Sequence, residues 1–401
     1  MTIAFNQLAP RMEVIQPFHV MSLLGRAKEL EQQGRDIIHL EVGEPDFATP
    51  PAILEAAMQA LRLGDTQYTP SLGLMSLRQA VADFYQQHFS VNISASQVVI
   101  TPGASGALLL ITGALISRGD AVMLADPGYP CNQNFVRFVD GEVQAIAVDE
   151  SSQYQLTAEI IAKNWQENTK AVLIASPANP TGTIVAEDEM LKIIDLVREK
   201  QAYLIVDEIY QGLVYDNEPY CALKPGDVTN NNVQSNDKSH VIIVNSFSKY
   251  FQMTGWRIGW CIVPEHLLDS CERLSQNLFL ATPTLSQKAA LAAFLPETLE
   301  ILEQRRELFK QRRDYLYPKL LDLGFKIPVK PQGAFYMYCD CSTLTDNSMT
   351  FAHELLEQTG LAITPGIDFG QNNPESYVRL TYTKDISVLE QAVQRLEQFL
   401  T

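Results

Sequence analysis

The sequence predicts an α/β protein. A large domain would be built on a mainly parallel sheet flanked by helices, beside a smaller α+β domain formed by both chain ends. Three observations carry this expectation. Short runs of apolar, Val- and Ile-rich residues recur along the chain, amphipathic helical stretches lie between them, and the texture changes after about residue 290. At 401 residues the chain is too long for one simple core. The expected division is an N-terminal segment over 1–49 packing with the small domain, a large domain over 50–290, and a C-terminal small domain over 291–401.

The large domain opens with clear punctuation. Thr49 is placed to cap a helix beginning at Pro50-Pro51, because its hydroxyl can accept an orphan N–H. Ile53, Leu54, Ala57, Met58 and Leu61 would form the apolar face of that helix, and Gly64 its stop. The apolar runs follow: Val98–Ile100, Ala121–Leu124, Val172–Ile174, Tyr203–Val206, Val241–Val244 and Ile258–Val263. Short runs apolar on both faces suit strands of a buried, largely parallel sheet. The intervening stretch Glu187–Lys200 places Met190, Ile193, Ile194 and Val197 on one helical face. Residues 224–240 are polar and turn-rich and read as an exposed loop. Beyond 290 come a charged helical stretch over Glu297–Leu321, a strand over 333–338, a helix over Phe351–Gln358 and a strand over Tyr377–Thr381. A closing helix carries Ile386, Leu389, Val393, Leu396 and Leu400.

Composition narrows the function. The chain has 30 Lys+Arg against 47 Asp+Glu, a net charge of −17, which speaks against nucleic acid or anionic lipid as a partner. A stretch without charged residues runs from Val91 to Ser117, but Pro102, Gly103 and Gly106 interrupt it, so a buried strand–turn–helix is expected rather than a membrane span. The N-terminus MTIAFNQLAP shows no basic region followed by an apolar core, and a cytoplasmic location is the expectation. Six Cys are scattered, and the one close pair, Cys339 and Cys341, has no zinc or redox spacing, so reduced thiols and no metal are expected.

Polar residues gather at the ends of the predicted strands. Thr101-Pro102-Gly103-Ala104-Ser105-Gly106, preceding an apolar helix over Ala107–Ile116, follows the first strand, and Asp126-Pro127-Gly128-Tyr129 follows the second. Ser176 to Gly182, Asp207-Glu208-Ile209-Tyr210 and Asn245-Ser246-Phe247-Ser248-Lys249 follow the next three, and Arg257 precedes the sixth. In an open parallel sheet such loops meet at one rim, where ligands bind.

In order and spacing these segments resemble the fold-type I pyridoxal-phosphate enzymes, in particular the class I/II aminotransferases. The resemblance runs from Glu41-Val42-Gly43-Glu44-Pro45-Asp46-Phe47 to Tyr377-Val378-Arg379-Leu380 and is sharpest over Ser246–Lys249 with Met253–Gly259. It implies a seven-stranded type of sheet and pyridoxal 5'-phosphate held as a Schiff base on Lys249. It implies transfer of an amino group from an amino acid to a 2-oxo acid.

The roles it implies are chemically coherent. Lys249 is an amine nucleophile and proton carrier. Asp207, rather than its neighbour Glu208, would pair with the pyridine nitrogen. Tyr210 and Asn179 would donate to the cofactor's 3′-oxygen, and Tyr129 would stack on the ring. Gly103, Ala104 and Ser105 at a helix N-terminus, with Ser246, Ser248 and Arg257, would hold the phosphate. Arg379, with Gly43 and Asn179, would receive the substrate carboxylate. Tyr68 resembles a tyrosine that reaches the phosphate of a neighbouring subunit, which implies a homodimer with shared active sites.

Some readings stay open. Phe18 and His19 form part of a lid or simply pack the N-terminal segment. No second cation for a distal carboxylate is identifiable, and Ser275–Thr284 offers no Lys or Arg, which favours neutral or broad amino donors. Two rival activities remain: a lyase of the same fold, such as a cysteine-conjugate β-eliminase, and a cofactor-binding regulator without catalysis.

Overall fold

A computed structural model describes residues 8–224 and 238–401. In chain order the N-terminal part contributes α1 (Arg11–Val14), α2 (His19–Gln32), β1 (Ile38–His39), α3 (Pro51–Leu63) and α4 (Met75–Phe89). Then come β2 (Val98–Thr101), α5 (Gly103–Leu115), β3 (Ala121–Asp126), α6 (Pro130–Phe138), β4 (Glu142–Ala147), α7 (Ala158–Lys163) and β5 (Thr169–Ala175). The centre continues with α8 (Glu187–Glu199), β6 (Tyr203–Asp207), β7 (Val241–Ser246), β8 (Gly259–Ile262), α9 (Leu268–Leu278) and α10 (Thr284–Ala290). The C-terminal part holds α11 (Pro296–Asp322), β9 (Tyr336–Asp340), α12 (Ser348–Thr359), β10 (Leu361–Ala362), β11 (Thr364–Pro365), β12 (Tyr377–Thr381) and α13 (Ile386–Leu400).

Seven strands form the main sheet in the order β2-β8-β7-β6-β5-β3-β4. All its pairings are parallel except those of β8, which runs antiparallel to both β2 and β7. The strands other than the edge strand β4 are largely buried on both faces because each side is sealed by helices. Val99, Val122, Leu173, Ile205, Ile242 and Cys261 point to one face, packed with Ala107, Leu110 and Ile111 of α5. Val98, Met123, Val172, Leu204, Ile243 and Trp260 point to the other, with α4, α8 and α11. Adjacent residues alternate between these clusters, as the pleat requires, and each fully buried Val or Ile contributes roughly 1.5–3 kcal/mol.

Several expectations are corrected. The run at 258–263 is a strand, but an antiparallel one, so its start rather than its end lies at the rim where the parallel strands finish. Glu142–Ala147 adds an edge strand that the sequence did not signal, since its half-exposed residues carry no continuous apolar run. The helix expected from Ala107 begins at Gly103, so Ala104 and Ser105 sit in its first turn. The strand expected at 333–338 begins at Tyr336. Thr49 does not cap α3: Pro50 holds the cap position, and the Thr49 hydroxyl donates to the Gln252 carbonyl at 2.8 Å and accepts from Trp256 Nε1 at 3.1 Å. It ties down the loop after Lys249 instead. Of the expected α3 face, Ile53 and Ala57 are buried with Ala60, whereas Leu54, Met58 and Leu61 are exposed in the single chain. Gly64 does end α3, at φ +72. Most of the expected 224–240 loop lies outside the described residues.

The C-terminal part folds around β11-β12-β9, an antiparallel sheet, and β10 pairs in parallel with β1, which joins the two chain ends. β12 carries Arg379 in register with Tyr338 and Thr364.

Gly259 is where sheet and rim meet. It opens β8 opposite Ser246 and Thr101, and a Cβ there would stand 2.7 Å from the Asn245 carbonyl oxygen and 2.9 Å from the Ala104 nitrogen. Gly259→Ala therefore has to push the first turn of α5 away from β7. We expect a loss of about 1–3 kcal/mol in urea unfolding. An unchanged midpoint would show that this contact is slack.

Candidate active site

The rim of the main sheet encloses a cavity of about 490 Å³. β2, β5, β6 and β7 present their carboxyl ends to it, and the start of β8 adds the Arg257 side. The N-terminal segment and β12 close it from the opposite side.

Lys249 follows β7 by three residues. Its Nζ donates to the Gly43 carbonyl at 2.6 Å and lies 5.8 Å from the Tyr210 ring centroid. Burial, then the Arg379 guanidinium, with Arg257 adding to it, bring the amine down to about 8, against the opposing pull of Glu44 and Asp207. Asp207, at the end of β6, lines the cavity and accepts from the Ile209 N–H at 3.2 Å. Burial pushes its carboxyl up to about 7, opposed by that N–H and by Lys249. Glu208 points elsewhere: its Oε1 accepts from the Ala222 N–H at 2.8 Å. Only the first of the two adjacent carboxylates faces the cavity.

One end of the cavity is lined mainly by small residues. Ala104 and Ser105 line it from the first turn of α5, together with Ser246, Ser248 and Arg257. Gly103 stands behind this group at φ +75, and a Cβ there would come within 2.8 Å of Arg257 Nη2, so glycine makes room for the guanidinium. Arg257 makes no ion pair among the described residues; its Nη1 donates to the Thr254 carbonyl at 3.0 Å. A helix N-terminus, hydroxyls and an arginine free of acidic partners form a donor set for a phosphate-sized anion.

At the other end, Arg379 is buried on β12. Nη1 donates to Asn179 Oδ1 at 2.9 Å, and Nη2 to the Glu41 carbonyl at 2.6 Å and to Thr364 Oγ1 at 3.2 Å. Its Nε is buried without a partner among the described residues. A buried cation with an unspent donor is costly unless an anion arrives. Gly43, Asn179, Tyr129 and Tyr210 all line the same space. Phe18 lines it too, 6.5 Å from the Tyr129 ring, whereas His19 lies in an outer groove and gives its backbone N–H to Asp368 at 2.8 Å. Tyr68 is 83% exposed and does not line this chain's cavity.

Several further residues line the cavity that the sequence alone does not single out. Tyr336 meets the Tyr210 hydroxyl at 2.6 Å, and Arg379 Cζ lies 4.5 Å from its ring centroid. Strand alternation across the aromatic run at 335–338 was the available signal. Glu41, Thr364, Asp368 and Phe369 also line the cavity. Nothing local marks Asp368, whose carboxylate caps α2 through the backbone N–H groups of His19 and Val20, at 2.8 and 2.7 Å, far away in sequence.

Comparison with known proteins places the chain in a family. A family model described as aminotransferase class I and II matches residues 35–396. The chain is 36% identical over 388 residues to a valine–pyruvate aminotransferase of Mycobacterium tuberculosis, covering 96% of this chain and 97% of the relative. It is 34% identical to a (5-formylfuran-3-yl)methyl phosphate transaminase of Methanocaldococcus jannaschii, covering 98% and 99%. Among solved structures, an aminotransferase from Mycobacterium tuberculosis superposes with a TM-score of 0.92 at 35% identity, over 98% of this chain and 99% of that one. The aspartate aminotransferase of Thermus thermophilus with maleate superposes at 0.90 and 31%, over 98% and 100%. These relatives favour amino-group transfer over the elimination and non-catalytic readings. The chain belongs to the class I and II aminotransferase family and is an aminotransferase.

Proposed function

We propose that this aminotransferase works with pyridoxal 5'-phosphate held on Lys249, takes amino groups from neutral amino acids with apolar side chains, and acts as a cytoplasmic homodimer. The observation that carries the reading is the Lys249 amine, which donates to the Gly43 carbonyl at 2.6 Å in a cavity it shares with Asp207 and Arg379. The residues fit the group: Arg257, with no ion pair among the described residues, beside the α5 N-terminus for a phosphate, Asp207 for a ring nitrogen, and Asn179 and Tyr210 for the 3′-oxygen. Tyr129 would cover the ring face. Bound there, pyridoxal phosphate supplies an aldehyde for amine exchange and a ring that draws electron density from the substrate Cα.

The chain's own residues would divide the remaining work. Arg379, through its free Nε, would fix the substrate carboxylate and so set the orientation of the Cα–H bond. The Lys249 amine would hold or return the proton at Cα. Phe18, Leu108, Phe135 and Phe369 would exclude water.

The substrate class follows from the walls. Among the described residues, the only Lys and Arg lining the cavity are Lys249, Arg257 and Arg379. Each already has a partner in the reading above, so none remains for a distal carboxylate, and Phe18, Met21, Leu24 and Phe369 supply apolar surface. The homodimer is supported by the apolar residues Leu54, Met58, Leu61 and Leu63, exposed on α3, and by the outward-pointing Tyr68. No helix among the described residues is long and apolar enough to cross a membrane.

Three measurements test this. In cofactor-free protein, Lys249 should react with an amine-directed reagent with a midpoint near pH 8, because about a quarter of it is neutral at pH 7.5 against about one in a thousand for an ordinary lysine. A midpoint near 10 would contradict its placement. Borohydride reduction of the yellow holoenzyme should fix the cofactor to the chain, and Lys249→Ala should abolish that label; a label retained on another lysine refutes the anchor. Across a panel of amino donors, valine-like substrates should exceed aspartate in kcat/KM by roughly a hundredfold, since an unpaired carboxylate in an apolar wall costs several kcal/mol. Equal rates would overturn the substrate class.

A further inference from the structure

Tyr336 opens β9 and is 1% exposed. It touches three parts of the site at once. Its hydroxyl lies 2.6 Å from that of Tyr210. The Arg379 guanidinium sits over its ring at 4.5 Å from the centroid. Gly43 passes so close that a Cβ there would overlap the Tyr336 hydroxyl, and the Gly43 carbonyl is the acceptor for the Lys249 amine.

A hydroxyl has one proton to give. Were Tyr210 to spend its proton on Tyr336, it would face the cavity only as an acceptor. The reverse direction leaves the Tyr210 proton for the cavity. Burial raises both phenols and Arg379 opposes it at both, but the guanidinium lies directly over the Tyr336 ring, which leaves Tyr336 the less raised of the two and so favours it as the donor.

We propose that Tyr336 is a positioning residue: it donates its hydroxyl proton to Tyr210, so that the Tyr210 O–H is free to point into the cavity, and its ring face holds the Arg379 guanidinium where a carboxylate is received. A polarised Tyr210 is a stronger donor than an isolated one. The groups around this pair are otherwise few. Tyr210 also faces Tyr129 and Arg379, and Lys249 faces Arg379, Glu44, Arg257 and Asp207. All of them remain in Tyr336→Phe, which also keeps the ring.

The inference rests on the reading of Tyr210 as a donor to the cofactor's 3′-oxygen, so the experiment carries a control for that reading. The absorbance of the Lys249-bound cofactor would be titrated against pH in wild-type holoenzyme, Tyr210→Phe and Tyr336→Phe. Loss of a donor to the oxygen raises the midpoint. Tyr210→Phe should therefore titrate higher than wild type, and Tyr336→Phe should move the same way by roughly 0.3–1 pH unit, the size of one hydrogen bond. In the same proteins, the affinity for a 2-methyl amino acid, which lacks the Cα hydrogen, would report on Arg379. Tyr336→Phe should bind it within about twofold of wild type, and Tyr336→Leu, without the ring face, about fivefold or more weakly.

A wild-type midpoint in Tyr336→Phe beside a raised one in Tyr210→Phe overturns the proton relay and leaves the reading of Tyr210 standing. A wild-type midpoint in both removes that reading and the relay with it. Undiminished affinity in Tyr336→Leu overturns the role of the ring.

Discussion

The contact on which the site depends joins the Lys249 amine to the Gly43 carbonyl. It brings together two residues more than two hundred positions apart, and Arg379 completes the group from the far end of the chain. Each comes from a different structural source: Lys249 from the end of a central strand, Gly43 from the irregular segment after β1, Arg379 from the middle of β12. Such a meeting requires that the two chain ends be fixed against the main sheet. The β1–β10 pairing joins them to each other. The Glu41 carbonyl then accepts both Arg379 Nη2 and the Thr364 hydroxyl, so the same short segment that places Gly43 also orients the guanidinium.

The antiparallel strand β8 solves a second placement problem. A parallel strand presents its carboxyl end to the rim, and every other site residue on the main sheet follows that rule. Arg257 precedes its strand. Because β8 runs against β2 and β7, its beginning lies beside their ends, and Arg257 reaches the first turn of α5. Gly103 and Gly259 are the two positions where this approach leaves no room for a side chain. Their need for glycine arises from neighbours distant in sequence, so the sequence singled out Gly103 for a phosphate and Gly259 within a motif without showing what crowds either position.

The same distinction explains what the sequence did and did not disclose. Buried strands were legible because a strand sealed on both faces is a continuous apolar run, as in Val241–Val244. The edge strand Glu142–Ala147, half-exposed, had no such run. The cluster of polar loops was legible because each loop follows a strand directly. Tyr336 and Asp368 were not, because their partners are set by tertiary approach. Thr49 had the right chemistry for a cap, but a residue placed one step early, before two prolines, found a better use in holding the loop after Lys249. The exposed residues of α3 obey the helical period and still lack a buried partner within the single chain, so periodicity located the face without saying what covers it.

Acidic residues do much of the fixing. Asp126 accepts from the backbone N–H groups of Gln371 and Asn372, Asp368 from those of His19 and Val20, and Arg312 holds Asp46 through both of its Nη atoms. These contacts fasten the wall segments around the cavity, and they draw on a chain whose net charge is −17. A protein so acidic repels anions at a distance, so an anionic ligand must be drawn by a local field. Among the described residues lining the cavity, that field is supplied by three cations, Lys249, Arg257 and Arg379, set beside the carboxylates Glu41, Glu44, Asp207 and Asp368. Crowding them in a desolvated space depresses the amine, which keeps Lys249 partly neutral and nucleophilic. On the proposed reading, the charge that would receive a carboxylate at one end and a phosphate at the other is the same charge that lowers the lysine amine between them.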